Sequence, residues 1–409
     1  MEEWKEYKIK DICKGIYEGP HATPKESQTG GIYLGIPAIS IDGHINFRNA
    51  KRIAEEDLPL WTKRVTPQED DIVFTNEATL NLYALISAGF HGCLGRRLGL
   101  VRPNKELVNA KFLFYYFFSP EWRNVISQNK VYGATVERIL MTKFPSFPIK
   151  LPSLPIQNKI VNILSSFDDK IEVNRRINEN LEQQAQALFK SCFVDFEPFR
   201  DGEFVESELG MIPKGWRVGT FLENIKVMPG GTPSTSKNEY WDGGTIPFFS
   251  PKDVNGVYCF ETEKHITELG LNNCSSHLYP PNTLFITARG TVGKLALAGV
   301  PMAMNQSNYA LVAKEGTSKF YLFLLAQTLV SILLKKANGA VFSAITTRDF
   351  NEPTIIPTNS VMDKFDKLIS PLFNKIYKTS CESRRLAELR DTLLPKLMSG
   401  ELKVNEIKA

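Results

Sequence analysis

The sequence has few of the features that accompany secretion, membrane insertion or disulfide-based folding. Its six cysteines are scattered over 409 residues and never form a C-x-x-C pair, and the charged segment 1–10 does not have the form of a secretory signal. We therefore expect reduced thiols in a cytoplasmic protein. The longest aromatic-rich run, 112–118, is far shorter than the roughly 20 apolar residues that a membrane span needs, so we expect it to be the buried face of a helix.

Sequence motifs of catalysis are also missing. No G-x-G-x-x-G follows a predicted strand, and the nearest string to the Asn/Asp-Pro-Pro-Tyr/Phe motif of adenine methylases is Tyr-Pro-Pro-Asn at 279–282, which is that motif reversed. Gly293 and Lys294 lack the following Ser/Thr and the preceding glycine of a phosphate-binding loop. The five histidines do not have the spacing of metal ligands. The sequence thus predicts a binding protein without cofactor or metal rather than an enzyme.

The bulk composition is that of an ordinary globular protein, with 43% hydrophobic and 23% charged residues. The length is sufficient for two or three domains. The net charge of +4 and the pI near 8.5 are compatible with nucleic-acid binding but do not establish it, because local patches of charge matter more than the net charge.

The most informative feature is an internal repeat. The landmarks of residues 4–193 recur in the same order in residues 216–398, about 205 to 212 positions later. The matched segments are the turns 19–24 and 230–234, the Ile-Pro segments 36–42 and 246–253, the strand-like runs 71–75 and 283–287, the apolar helices 112–118 and 320–334, and the Gly-Ala turns 133–138 and 339–348. Short β-branched or aromatic runs between Gly/Pro turns, together with one or two helices, are typical of an α+β domain. We therefore predict two α+β domains, each followed by a long helix.

Each half ends in a helical pattern of roughly 35 residues, or about 50 Å at 1.5 Å per residue. The first begins after 151–155, where proline suits the first turn, and stops before Pro198. The second begins at a capping box of Ser360 and Asp363 and ends at Gly400. Apolar residues at steps of three and four form a seam: Ile160, Leu164, Phe167, Ile171, Leu181, Ala185 and Leu188 on the first helix, and Phe365, Ile369, Leu372, Ile376, Leu386 and Leu393 on the second.

The middle of each seam is polar. Asn174 and Asn178 interrupt the first seam, and Thr379 and Ser383 interrupt the second at positions shifted by 205. If the helices pair antiparallel, these polar centres meet and fix the register of the pair at a cost in stability. The alternative is that the four side chains point outward on a slightly rotated stripe.

Several strings in and around these helices resemble the specificity subunit of Type I restriction–modification systems, the HsdS family. The strings are 151–160 (Leu-Pro-Ser-Leu-Pro-Ile-Gln-Asn-Lys-Ile), 167–171, 188–191, 212–216 and 393–402. The resemblance covers essentially the whole chain. It implies an α+β fold in which two pseudo-twofold-related target recognition domains are joined by two long antiparallel, coiled-coil-like helices. The implied boundaries are 1–150 for the first domain, 151–197 for the central helix, 198–357 for the second domain and 358–409 for the C-terminal helix.

The same resemblance implies a function. A subunit of this kind recognises double-stranded DNA at two short half-sites around an unspecified spacer. It docks two methyltransferase subunits and the restriction (motor and nuclease) subunits, and it has no catalytic activity of its own. The complex methylates adenine at N6 or cleaves unmodified DNA, and the helix pair sets the spacer length.

Candidate DNA contacts are polar residues on Gly/Pro turns that are placed alike in both halves. Arg, Lys, Asn and Gln recognise base edges, whereas Lys, Arg, Ser and Thr bind phosphates. The candidates are Thr23, Lys25, Arg96, Arg97 and Thr135 in the first domain, and Thr232, Ser234, Lys252, Arg289, Asn305, Gln306 and Ser343 in the second. The alternative for each is a solvated or turn-stabilising side chain. The adjacent arginines on a glycine-flanked turn are the strongest candidates.

Two other classes of function stay open at this point. A helical scaffold that never meets DNA predicts no salt-dependent DNA affinity. A self-contained DNA methyltransferase with an unrecognised site predicts that the chain binds adenosylmethionine unaided. Within the family, a subunit of a methylation-only system, or a spare copy that exchanges recognition domains, is a narrower option.

Overall fold

The computed structural model describes residues 4–47, 49–132, 136–336 and 344–404. The chain divides into two compact units: unit 1 comprises Met1–Lys170 with Arg385–Ala409, and unit 2 comprises Ile171–Arg384. Each unit contains short strands and helices, as the α+β pattern predicts. Among the described residues, no helix combines the length and the apolar character that crossing a membrane requires.

Unit 1 is built around a four-stranded antiparallel sheet of order β2-β8-β5-β6 and a three-stranded sheet of order β4-β3-β7, in which β3 and β7 are parallel. Two further antiparallel pairs are β1 with β11 and β9 with β10. The strands are β1 (Lys5–Lys8), β2 (Cys13–Glu18), β3 (Gly31–Leu34), β4 (Lys51–Ile53), β5 (Ile72–Thr75), β6 (Tyr83–Leu85), β7 (Gly92–Leu94), β8 (Leu98–Pro103), β9 (Lys130–Tyr132), β10 (Glu137–Ile139) and β11 (Pro148–Leu151). The helices are α1 (Ile9–Ile12), α2 (Leu58–Trp61), α3 (Ala110–Tyr116) and α4 (Pro120–Asn129). Helix α5 (Leu154–Phe193) belongs to unit 1 up to Lys170 and to unit 2 from Ile171.

Unit 2 has a five-stranded sheet of order β15-β22-β19-β20-β17 and a three-stranded sheet of order β18-β16-β21. The strands are β12 (Phe204–Ser207), β13 (Gly210–Pro213), β14 (Arg217–Thr220), β15 (Ile225–Pro229), β16 (Ile246–Phe249), β17 (Tyr258–Cys259), β18 (His265–Ile266), β19 (Leu284–Thr287), β20 (Leu295–Ala298), β21 (Ala303–Met304), β22 (Asn308–Ala313) and β23 (Pro353–Ile356), of which β12–β13 and β14–β23 form separate pairs. The helices are α6 (Glu268–Asn272), α7 (Lys319–Lys336) and α8 (Asn359–Ser399), whose last part belongs to unit 1.

The sheet orders confirm the internal repeat. The order β2-β8-β5-β6 of unit 1 is matched by β15-β22-β19-β20 of unit 2, and the parallel pair β3–β7 is matched by β16–β21. One sequence match is wrong. It pairs Ile36 with Ile246, whereas the hydrogen bonds make Leu34 equivalent to Phe249: the Leu34 carbonyl accepts from Gly95 N–H at 2.7 Å, and the Phe249 carbonyl accepts from Asn305 N–H at 3.0 Å. The loop that precedes this strand is longer in unit 2, so the shared Ile-Pro pair is a coincidence.

Aromatic packing fills the core of unit 1. Trp122 stacks on Phe117 with ring centroids 4.7 Å apart, and its indole N–H donates to the Tyr83 hydroxyl at 3.0 Å. Phe74 stacks on Phe144 at 4.5 Å. Phe117 belongs to the run 112–118, most of which is buried on and just after α3, as predicted.

The two long helices begin and end close to their predicted positions. The Ser153 carbonyl accepts the first helical hydrogen bond of α5, and the Thr358 carbonyl accepts that of α8. The predicted capping role of Ser360 is therefore wrong, because Ser360 already lies in the first turn. Helix α5 ends at Phe193, a few residues before the left-handed backbone of Phe196 (φ 52°).

Within each unit the two long helices run antiparallel. In unit 2, Asn174 contacts Ser383 and Phe193 contacts Phe365; in unit 1, Asp168 contacts Arg390. The buried residues differ from the predicted seam at two places. Toward the C-terminal end of α5, Phe189 and Phe193 are buried while the predicted Leu188 is half-buried. On α8, Phe373 is buried in place of the predicted Leu372. The reason is a third helix in unit 2, since Phe320 of α7 stacks on Phe373 at 4.5 Å and Tyr321 of α7 packs against Phe193 at 4.9 Å.

Gln157 connects the start of α5 to the preceding domain. It is only 1% exposed, and its Oε1 accepts from Asn109 N–H at 2.9 Å while its Nε2 donates to the Pro152 carbonyl at 2.9 Å and the Leu107 carbonyl at 3.3 Å. These bonds give a physical reason for the glutamine in the string 151–160.

Replacing Gln157 with Ala should lower the free energy of unfolding of unit 1 by about 1–3 kcal/mol, because three backbone groups, among them the buried Pro152 carbonyl, lose a hydrogen-bond partner. Denaturant unfolding followed by tryptophan fluorescence measures this loss. The control is Gln128→Ala, which removes an exposed glutamine of the same unit. Equal midpoints for the two variants would show that Gln157 is not a structural connection.

Candidate nucleic-acid interface

The same backbone hydrogen bonds build one edge of the main sheet in both units. In unit 1, Asn76 N–H donates to the Arg97 carbonyl at 3.1 Å, and in unit 2 Ala288 N–H donates to the Ser307 carbonyl at 2.8 Å. The residue after each of these donors also forms an equivalent β-bridge, Glu77 with Arg138 in unit 1 and Arg289 with Ala344 in unit 2. By this equivalence Arg96 occupies the position of Gln306.

A glycine directly follows strand β2 in unit 1 and strand β15 in unit 2. The close approach of two chain segments at each sheet edge requires this glycine. Gly19 N–H donates to the Leu98 carbonyl at 2.8 Å, and Gly230 N–H donates to the Asn308 carbonyl at 3.3 Å. A Cβ atom would lie 2.3 Å from the Gly95 carbonyl oxygen at the first position and 1.9 Å from the Asn305 carbonyl oxygen at the second. Any other residue would push the two segments of each edge apart.

The two adjacent arginines of unit 1 have different surroundings. Arg96 is exposed, and its backbone N–H donates to the Tyr33 hydroxyl at 2.9 Å. Arg97 is half-buried in a left-handed conformation (φ 68°), and its Nε lies 3.2 Å from Oε1 of Glu77. Arg96 therefore presents its guanidinium to solvent, whereas Arg97 neutralises a carboxylate within the edge.

Four of the unit 2 candidates lie at or beside the turn that precedes β22. The Thr232 hydroxyl donates to Oε1 of Gln306, which is exposed. The Asn305 Oδ1 accepts from Ser307 N–H at 3.0 Å and from Asn308 Nδ2 at 2.7 Å, so this side chain stabilises the turn. Arg289 is exposed beside it, with its N–H donating to the Ser307 carbonyl at 3.2 Å.

The remaining candidates are more scattered. Thr23 and Lys25 are exposed in the loop after the Gly19 turn. Ser234 is exposed with its hydroxyl 2.9 Å from that of Ser236, and Lys252 lies 3.5 Å from a Glu263 carboxylate oxygen. The candidates Thr135 and Ser343 lie outside the described residues.

The sequence did not single out two buried asparagines at these edges. Asn76 donates from Nδ2 to Glu18 Oε1 at 3.2 Å, and Asn308 donates from Nδ2 to the turn residue Asn305. Among the described residues, no group donates a hydrogen bond to the Oδ1 of either asparagine. Their places at the strand ends, Asn76 just after β5 and Asn308 at the start of β22, are the sequence signal that could have identified them.

The polar centre of the helix pair is buried, and the outward-facing alternative is wrong for Asn174 (0% exposed) and Thr379 (2% exposed). Asn174 Nδ2 donates to Glu382 Oε2 at 2.9 Å and to Ser383 Oγ at 3.3 Å. The Thr379 hydroxyl donates to Asn178 Oδ1. The structure thus brings the four predicted residues together in unit 2.

The described residues show no cluster of three or more His, Cys, Asp or Glu side chains with the geometry of a metal site. Burial raises the pKa of Cys13, Cys93 and Cys259 to about 12. These thiols are protonated at neutral pH, which makes them poor nucleophiles. At the sheet edges, by contrast, the exposed side chains of Arg96, Arg289 and Gln306 can form hydrogen bonds with a ligand.

Comparisons with known proteins identify relatives along the whole chain. The sequence model of the family described as "Type I restriction modification DNA specificity domain" matches residues 1–183 and 213–389. The chain is 29% identical over 418 residues to the Type I restriction enzyme MjaIX specificity subunit of Methanocaldococcus jannaschii, with 99% of this chain and 95% of that protein covered. It is 26% identical over 470 residues to the Type I restriction enzyme HindI specificity subunit of Haemophilus influenzae, with 98% and 100% covered.

A solved structure supports the fold. The crystal structure of the Type I restriction–modification system S subunit from M. genitalium superimposes with a TM-score of 0.55 at 16% identity, covering 97% of this chain and 96% of that one.

Proposed function

Because the chain belongs to the Type I restriction–modification DNA specificity family, we propose that its two equivalent sheet edges recognise the two halves of a split DNA target. The chain is a non-catalytic specificity subunit that binds DNA within a complex of methyltransferase and restriction subunits. The family match gives no support to a DNA-free scaffold or a self-contained methyltransferase. The observation that carries the proposal is the shared hydrogen-bonded edge, which places Arg96 and Gln306 at equivalent exposed positions.

The side chains at these positions have the chemistry of base recognition. An arginine in the major groove donates two hydrogen bonds to O6 and N7 of guanine, and a glutamine pairs with N6 and N7 of adenine. The Thr232 hydroxyl binds Gln306 Oε1 and so orients this amide, while the second lone pair of that oxygen stays available for a base. Asn305 and Arg97 hold the edges in shape in this proposal.

The other candidates bind the phosphate backbone in this proposal. Cationic and hydroxyl side chains beside a base-reading edge fix the position of the protein on the duplex. This group comprises Thr23, Lys25 and Thr135 in the first domain and Ser234, Lys252, Arg289 and Ser343 in the second.

We also propose the finer organisation that the family implies. The recognition domains comprise residues 1–150 and 198–357, and the helices 151–197 and 358–409 set the distance between the two half-sites. Asn174, Asn178, Thr379 and Ser383 fix the register of these helices. Two methyltransferase subunits dock on one copy of the chain, and the complex acts on DNA in the cytoplasm.

Each edge should control one half-site. Arg96→Ala should relax base selectivity in one half of the target and Gln306→Ala in the other half, since each bidentate contact contributes about 1–3 kcal/mol of discrimination. The measurement is methylation sequencing of DNA from cells that express each variant with the methyltransferase subunit. The unchanged half of the motif serves as the internal control.

Arg123→Ala removes an exposed cation of unit 1 from α4 and should leave both halves intact. The assignment of the edges is wrong if Arg96→Ala and Gln306→Ala, in complexes shown to assemble, both leave the methylated motif unchanged.

The spacer should lengthen with the helices. Four residues inserted after Lys170 and four after Ala387, next to the Asp168–Arg390 contact on both helices, add about 6 Å at 1.5 Å per residue and keep the helical phase nearly constant. The spacer of the methylated motif should then grow by roughly two base pairs, because one base pair occupies about 3.4 Å along the duplex. A motif with the original spacer would contradict the role of the helices in setting it.

A further inference from the structure

The two long helices repeat one another, so many of the contacts between them have an equivalent contact. In unit 2, Asn174 bonds to Ser383 and Thr379 bonds to Asn178. A shift of 205 positions places Asn174 of α5 on Thr379 of α8 and Asn178 on Ser383, so each of these two pairs is the repeat of the other. A second α5 helix in place of α8 would therefore set Asn174 against Asn178, another pair of polar side chains. The polar centre fixes register but discriminates poorly between α8 and a second copy of α5.

One contact in unit 1 has no such equivalent. Asp168 of α5 and Arg390 of α8 form an ion pair of 2.6 Å, with side chains 23% and 14% exposed. Asp168 also accepts a hydrogen bond of 2.5 Å from the Tyr115 hydroxyl. Among the described residues, Arg390 has one further ion-pair partner, the exposed Asp391 at 2.8 Å.

The equivalent positions in unit 2 are apolar. Shifting Asp168 by 205 gives Phe373, and the residue that corresponds to Arg390 is Ala185. Both are fully buried. Phe373 packs against Phe320 and Phe323 of α7, at 4.5 and 5.6 Å between ring centroids. The two ends of the helix pair therefore differ in chemistry, with an ion pair in unit 1 and hydrocarbon in unit 2.

We propose that the Asp168–Arg390 ion pair makes α5 select α8 and reject α5 of a second copy of this chain. In a pair of two α5 helices, Asp168 would face Ala185 of the other copy and lose its arginine. In a pair of two α8 helices, Arg390 would face Phe373 and keep only the exposed Asp391. Both arrangements leave a mostly buried charge without its main partner, which is far less favourable than the intact pair.

The consequence is that α5 pairs with an α8 helix rather than with a second α5 helix. Two chains joined by like helices would satisfy the polar centres and most apolar layers, because these are repeated. The loss of the ion pair penalises this association, and it does so twice in every such dimer.

Charge reversal in the full-length chain tests the proposal. Asp168→Arg places two cations against each other in the α5–α8 pair, whereas pairing of like helices keeps them apart. We expect two differently tagged copies of this variant, expressed together, to co-purify at least tenfold more than wild-type copies, with a two-chain mass by light scattering. Asp168→Arg with Arg390→Asp restores opposite charges across α5–α8 and should return the protein to a single chain.

Asp168→Ala is the control for a general loss of stability, because it removes the ion pair without opposing like charges. The proposal is overturned if folded Asp168→Arg stays a single chain, if Asp168→Ala associates to the same extent, or if the double reversal fails to restore the single chain.

A second variant decides the matter if Asp168→Arg does not fold. Moving the arginine to the equivalent position, Arg390→Ala with Ala185→Arg, leaves both charges unpaired in α5–α8 and pairs them twice between two α5 helices. This variant should form the two-chain species, and adding Asp168→Phe should abolish it. A monomeric protein from the moved arginine would refute the proposal.

Discussion

The antiparallel contact of α5 with α8 is the interaction on which both compact units depend. The core of unit 1 includes Ile160 and Leu164 of α5 together with Leu394 and Leu397 of α8. The core of unit 2 includes Phe189 and Phe193 of α5 with Phe365 and Ile369 of α8. Residues of both helices therefore complete each core, and displacement of either helix would expose part of both cores.

At the two equivalent sheet edges, the main chain and the side chains have separate roles. The hydrogen bonds that form the two sheet edges are the same in both units, and they involve backbone groups and two sterically required glycines. The residues that project from the edges differ, with arginine in one unit and glutamine in the other at the equivalent position. One backbone design can thus present different side chains in the two units, and it is contacts of side chains with base edges that read sequence directly.

The features that the sequence predicted well depend on periodicity along one segment. The helix bounds, the buried run on α3 and the polar centre follow from side-chain spacing within a continuous helix. Apart from the local capping role of Ser360, the errors concern contacts between distant segments. The match of Ile36 to Ile246 failed because a loop differs in length, and α7 shifted the buried seam to Phe373 because a third helix packs there.

The site residues show the same division. Polar residues on turns could be identified from the sequence, but their orientation could not. The difference between Arg96, which faces solvent, and Arg97, which pairs with Glu77, depends on a backbone angle and on a partner twenty residues earlier in the chain. The role of Asn305 in its turn also depends on where its side chain points, since its Oδ1 accepts hydrogen bonds from Ser307 and Asn308.

The division of α8 between the units also has a consequence for synthesis. The core of unit 1 includes Leu394, Leu397 and Met398, which lie in the last part of α8 and follow the whole of unit 2 in the chain. At a ribosomal rate of about 5–20 residues per second, the first domain waits on the order of ten to forty seconds for these residues after α5 has emerged. During that time the residues of α5 that pack on α8 lack this partner, and such transiently exposed apolar surface is prone to aggregation.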